Sequence, residues 1–239
     1  MCTLPGARRL SAHDFDVAEF RKRDSPLPCY AGYRCPCPRS AGIPIEGWLP
    51  SYICQSGDML SPQSLSVIDR RLVAGWAADC AERVLYLFET EAPEDDRPRD
   101  GIARARAFSR GELDTADEIR RRFVAGRATQ SVTSPAAKAA AWSAGQAAGV
   151  AHMGAHALGA AAYAAKAAEL AAPQHGGPAE ISWQLEHMSQ QVSMALRSLP
   201  LLGEDPSGPL GAGLLASGAL GANIRVIQAA LRDNSPLGD

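Results

Sequence analysis

Aromatic residues are scarce, at 6% of a 239-residue chain, so the core cannot rest mainly on large interlocking rings. No apolar run reaches the roughly 18 residues that would span a bilayer, and alanine is too weakly apolar to anchor the longest helical stretch there. An excess of positive charge is also missing: 24 Lys and Arg against 26 Asp and Glu leave a net charge of -2. Phosphate binding needs clustered cations, so nucleic acid is not an expected partner. The opening MCTLPGARRLSAHDFDVAEFRKR has no apolar segment of about 7–15 residues of the kind a secretory signal carries. The chain reads as cytoplasmic and not membrane-bound.

Standard chemical motifs are absent too. There is no Lys-Ser/Thr phosphate loop and no G-x-G-x-x-G between strand and helix. Ser217 sits among glycines in GLLASGALG but outside the G-x-S-x-G of a nucleophile elbow. The chain has six cysteines. Cys29, Cys35, Cys37 and Cys54 could form a four-thiolate zinc site, yet their spacing lacks the paired C-x2-C knuckles of such sites, and the residues read as thiols in a reducing compartment. Cys80 falls inside an amphipathic pattern as a small buried hydrophobe.

What the chain does have is alanine at helical spacing. Residues 1–63 are rich in Pro, Gly and Arg and read as an irregular, disordered extension, with Met59 standing just ahead of the domain. Residues 64–199 read as a helical domain. Residues 200–239 form a Gly-rich tail with a short helix over 224–231. The expected fold is all-α, a compact Ala-rich bundle of about six helices with irregular extensions at both ends.

Its first helix carries Leu72, Val73, Trp76, Cys80, Val84 and Leu87 at three- and four-residue steps, a stripe suited to burial. Ser64 or Ser66 caps it. Asp95 or Asp96 caps the second, with Pro98 in its first turn; Ile102, Ala105 and Phe108 face inward. A third begins at Asp114, with Ile119, Phe123 and Val124 inward; the arginines of both helices, Arg104, Arg106 and Arg110 on the second and Arg120, Arg121 and Arg122 on the third, read as a solvated face that answers the acidic linker Glu89–Asp96. From Ser134-Pro135 to Ala172 an unbroken helix would run about 57 Å, longer than the roughly 40 Å diameter of a domain this size. It should break, and Gly154 is the best hinge, giving Pro135–His152 and His156–Ala172. A final helix should span Glu180–Leu196, with Ile181, Leu185, Met188, Val192 and Leu196 inward. Small residues let such helices pack closely, with Trp76, Trp142 and Trp183 filling the gaps.

The polar residues on this frame are Asp79 and Glu82 on the first helix, His152 and His156 at the hinge, Tyr163, and Trp183 with His187 on the last. One reading gathers Asp79, Glu82, His152, His156 and Tyr163 into an acid–base or metal site, with the two imidazoles as ligands. The other makes them structural. On that reading His152 stands at a helix C-terminus, His156 at the next N-terminus, and Asp79 is a buried acceptor for Trp or backbone N–H groups. The residue after His152 is Met153, so no built-in general base follows it, and a break would destroy the shared helical face. The balance favours structure: no catalytic set and no metal are expected.

Four ordered blocks carry a resemblance: DRRLVAGWAADCAERVLYLFE, DDRPRDGIARARAFSRGE, AGQAAGVAHMGAHALGAAAYAAKAAE and EISWQLEHM. Over roughly Leu65 to Leu199 the chain resembles the immunity proteins of bacterial polymorphic toxin systems, in the fifth class of immunity domains. The resemblance implies an all-helical protein that binds and neutralises a cognate toxin in the cytoplasm, with no cofactor. It places Trp76, Asp79, Cys80, Glu82, Asp96, Arg97, Pro98, His152, His156, Tyr163 and Trp183 at the family's recurrent positions and assigns none of them a toxin contact. Two other readings stand beside it: a small-molecule enzyme or ligand binder using the Asp79/Glu82/His152/His156/Tyr163 cluster, and a scaffold or homodimeric module.

Overall fold

Ser66 starts the first helix by a reciprocal cap: its Oγ accepts from the Asp69 N–H at 3.1 Å and donates to Asp69 Oδ2 at 2.7 Å. In this computed structural model, which describes residues 61–121 and 123–233, helix α1 runs Val67–Glu89. Val73, Trp76, Cys80 and Val84 are buried as the spacing requires, but Leu72 is exposed and Leu87 only partly covered. Ala74, Ala77, Ala78 and Ala81 widen the buried face instead. The cysteines at 29, 35, 37 and 54, Met59 and the rest of the N-terminal extension up to residue 60 lie outside the described residues.

Helix α2, Arg97–Ser109, has Pro98 in its first turn and turns Ile102, Ala105 and Phe108 inward. Asp95, not Asp96, serves its start. It accepts from the Arg97 backbone N–H at 3.3 Å, from Arg97 Nε at 2.7 Å and from Ser131 Oγ at 2.7 Å. The Arg97 guanidinium, then the Ser131 hydroxyl, hold the Asp95 carboxyl down to about 2.

The third helix departs from expectation. Helix α3 spans Thr115–Arg121 and a one-turn α4 follows at Val124–Arg127. Phe123 is 45% exposed while Glu118 is buried at 3%. The reason is an ion pair: Glu118 turns inward to meet Arg104 of α2, and the helix rotates with it.

Helix α5, Pro135–Gly149, starts at Ser134 with proline in its first turn, and α6 runs His156–Ala171. The long alanine segment therefore breaks across Gly154. The freed backbone groups find partners: Gly154 N–H donates to the Ser64 carbonyl and Ala155 N–H to that of Gln63, each at 3.0 Å. Leu65, between those carbonyls and α1, has φ +60°, a costly geometry for a branched side chain. A Cβ on Gly154 would collide with Leu65 Cδ1 and Cγ. Gly154→Ala is expected to cost about 1–3 kcal/mol through overpacking. The check is a fall in the urea midpoint at unchanged slope; an unmoved midpoint would mean the hinge has slack.

The expected final helix is two. Helix α7 covers Gly176–Glu186 and α8 covers Gln190–Arg197, because Ser189 Oγ accepts from the Val192 N–H at 3.2 Å and starts a new helix. Its inward face is also rotated: Gln184 is fully buried while Leu185 is only partly so. The short helix expected over 224–231 extends as α9 over Gly218–Arg232 and buries Leu220, Ile224, Ile227 and Leu231. The described residues thus hold no strand and more helices than six.

Helix α6 lies at the centre, packed against α1, α5, α7 and α9. Its residues 157–165 are all buried. Because its side chains are mostly methyl groups, neighbouring polar side chains reach its backbone. Ser143 Oγ of α5 donates to the Ala160 carbonyl at 2.8 Å, Gln184 Nε2 of α7 to Ala161 at 3.1 Å, and Asn223 Nδ2 of α9 to Ala162 at 3.2 Å. Three consecutive carbonyls are held from three sides. A second staple joins the start of the described chain to the segment between α8 and α9. The buried Gln63 side chain donates to the Asp205 carbonyl and accepts from the Leu210 N–H, both at 2.8 Å.

Candidate functional site

Asp79 and Glu82 project from the outer face of α1, three residues apart, so they point the same way. Both meet Arg106 of α2, Asp79 Oδ1 at 2.7 Å and Glu82 more closely still. The hydrogen bond from Arg106 holds the Glu82 carboxyl below its usual range, and the two carboxylates raise Arg106 further. Asp79 is 53% exposed, so it is not the buried acceptor expected for a Trp N–H. The Trp76 indole instead donates to the Gln184 carbonyl at 2.9 Å. The reason is spacing: Asp79 falls between the buried Ala78 and Cys80 but points toward α2, where a cation waits.

The two imidazoles stand at the break. His152 follows α5, His156 opens α6, and their ring centroids are 6.4 Å apart and tilted by 37°. The break did not separate them, because a tight turn brings the chain back: His152 and Met153 N–H groups donate to the Gly149 carbonyl at 3.0 and 3.2 Å. Gln146 Oε1 lies 2.8 Å from His156 Nδ1. An amide oxygen can only accept, so that contact sets Nδ1 as the protonated nitrogen. Tyr163 is elsewhere in its surroundings, buried and stacked on Trp142 at 6.1 Å; burial pushes its hydroxyl up to about 12. The five candidate residues therefore fall into a carboxylate pair on Arg106, an imidazole pair at the hinge, and a lone buried phenol. Among the described residues no group of three or more His, Cys, Asp or Glu is arranged to hold a metal ion.

A different cluster lies between α1 and α7. Glu180, 4% exposed, accepts from Arg83 Nε at 2.8 Å and from Gln184 Nε2 at 3.1 Å. The Arg83 guanidinium lies 3.9 Å over the Trp183 ring, and Trp183 stacks on His187 with centroids 4.1 Å apart. His187 is fixed by its own Nδ1, 2.9 Å from the Trp183 carbonyl. Cys80 is fully buried nearby, and burial first, then the Glu180 charge, pushes its thiol well up. It is an inert filler rather than a nucleophile. Sequence reasoning singled out Trp183 and His187 but missed Arg83, Glu180, Gln184 and Arg106. The one available signal was the four-residue step from Glu180 to Gln184, which puts both on one helix face.

A crevice lined by Arg97, Asp100, Arg104, Glu118 and neighbours, and another between α8 and α9 at Leu196, Leu199 and Leu231, each hold about 10 Å³. That is room for one water.

The comparisons with known proteins bear on the same region. A family model described as "Imm-5 like putative immunity protein" matches residues 63–191, which contain α1 to α7 and both polar clusters. No curated protein and no solved structure matches the chain.

Proposed function

From the premise that the chain belongs to this Imm-5 like immunity protein family, we propose that it binds a cognate protein toxin and neutralises it by stoichiometric cover. The observation that carries the reading is the outer row of α1. Asp79, Glu82, Arg83 and Tyr86 recur at helical spacing on one exposed face. Tyr86 is 59% exposed, while its neighbours are already fixed: Asp79 and Glu82 by Arg106, and Arg83 by Glu180 and Trp183. Tyr, Trp and Arg are the side chains that dominate binding energy at interfaces, and prior ordering removes the entropic cost of fixing them on association. The exposed carboxylates Glu94 and Asp96 beyond the end of α1 suit electrostatic steering of a basic partner.

Such an interface would bury on the order of 1,200–2,000 Å². The test is capture of, and growth rescue from, the toxin encoded beside the gene. Tyr86→Ala should weaken capture by about tenfold or more, the size of a modest hot spot, without changing thermal stability. A neighbouring toxin that is neither bound nor neutralised, or a Tyr86→Ala variant that captures as well as the parent, refutes the reading at the corresponding level.

A further inference from the structure

Two stacked rings at the end of α7 carry hydrogen-bonding groups that the described fold leaves unused. Trp183 and His187, one helical turn apart, stack with centroids 4.1 Å apart and planes 19° from parallel. The Trp183 carbonyl accepts from the His187 backbone N–H at 3.0 Å and lies 2.9 Å from its Nδ1. A carbonyl can only accept, so Nδ1 carries the proton, and Nε2 of the neutral ring is a bare acceptor. His187 is exposed, and no group bonds to that Nε2 among the described residues. The Trp183 indole N–H also has no acceptor among them, whereas the buried Trp76 indole donates to the Gln184 carbonyl. Neither nitrogen is sealed from solvent. One donor and one acceptor therefore stand open on adjacent layers of a single stack.

The stack is ordered before any partner arrives. Arg83 lies 3.9 Å over the Trp183 ring and is itself held by the buried Glu180 at 2.8 Å, so little rotamer freedom remains to be lost on association. Its chemistry also selects among partners. A carboxylate has no donor to offer Nε2, and a lysine or arginine would meet the Arg83 charge held against the same indole. An amide carries both the acceptor that the indole lacks and the donor that the imidazole lacks. An extended chain presents such groups along its edge whatever its side chains are. Arg83 joins the stack to the outer row of α1, which makes the two surfaces continuous. We propose that Trp183 and His187 dock a main-chain amide of the toxin. Its carbonyl accepts from the Trp183 indole, and its N–H donates to His187 Nε2. This rests on the toxin-binding reading and adds the end of α7 to the surface involved.

The test uses the full chain and the toxin encoded beside its gene. In the free protein the nitrogen resonances of the His187 ring should show a protonated Nδ1 and a bare Nε2. On addition of nitrogen-labelled toxin, the Nε2 resonance should move and couple through the hydrogen bond to a main-chain nitrogen of the toxin. His187→Phe keeps a ring against Trp183, and Trp183→Phe keeps a ring beneath Arg83, so each deletes one polar group and retains the stack. Each should weaken toxin binding about three- to tenfold, the size of one hydrogen bond, and His187→Phe should leave Tm unchanged. A parent that does not bind the toxin overturns the toxin-binding reading and this one together. A parent that binds, with both variants binding equally well, overturns this one alone. So does coupling of Nε2 to a side-chain nitrogen of the toxin, or an imidazolium in the complex, which would mark a carboxylate instead. Should either variant fail to fold, the resonances of the parent decide the matter.

Discussion

Arg83→Met is expected to lower stability by about 3 kcal/mol, the order found when one partner of a buried ion pair is removed. Glu180 is the cause. Its carboxylate is 4% exposed and would keep only the Gln184 amide as a donor, at 3.1 Å. Arg83 itself is 38% exposed, so water entering its place relieves part of the cost, which sets the figure at the low end of the usual range. Loss of the guanidinium over Trp183 adds about 0.5–1 kcal/mol. Removing both charges in Arg83→Met with Glu180→Gln should recover much of the loss, because no stranded carboxylate remains. A double-mutant cycle from urea unfolding measures this, with a coupling of about 1–3 kcal/mol expected. Strictly additive single variants would mean that solvent already screens the pair.

Ala161→Leu is expected to be as damaging, at about 3 kcal/mol, from the opposite cause. Ala161 is completely buried on the central helix, and its carbonyl accepts from Gln184 at 3.1 Å. Three extra carbons at a fully covered position overpack the contacts around α6, so a neighbouring helix must give way. Glu169→Leu, at an exposed position of the same helix, is the control and should stay within about 0.5 kcal/mol. Loss of near-ultraviolet dichroism together with a lower denaturation midpoint in Ala161→Leu alone would bear this out. An unchanged midpoint would mean that the helices are not in close contact.

The sequence was legible where one local rule dominated. The caps at Ser66 and Ser134, the first-turn prolines 98 and 135, and the break at Gly154 each follow from backbone geometry within a few residues. It was misleading where a polar group turned inward to meet a distant partner. Glu118 and Gln184 are buried, although hydropathy sends them outward, and their burial is what displaced Phe123 and rotated α7. The Arg83–Glu180 pair joins residues 97 positions apart, a separation that no periodicity reports. The alanine helices were readable as helices but not as to facing, because a helix buried on every side has no stripe. Of the candidate site, the proximity of His152 to His156 was not legible, because it comes from the turn after Gly149 rather than from a shared helical face. Nor was the cation answering Asp79 and Glu82, since Arg106 belonged to a helix read as a solvated face.

Helix α9 covers one side of α6, and this bears on biosynthesis. Asn223 grips the middle of α6, and Ile224 and Ile227 are fully covered, yet α9 is the final described segment to be translated. While the ribosome is still making it, the face of α6 that α9 covers stays wet and open to other chains. A message cut short before the codon for Gly218 would yield a chain with that side of its innermost rod unsealed.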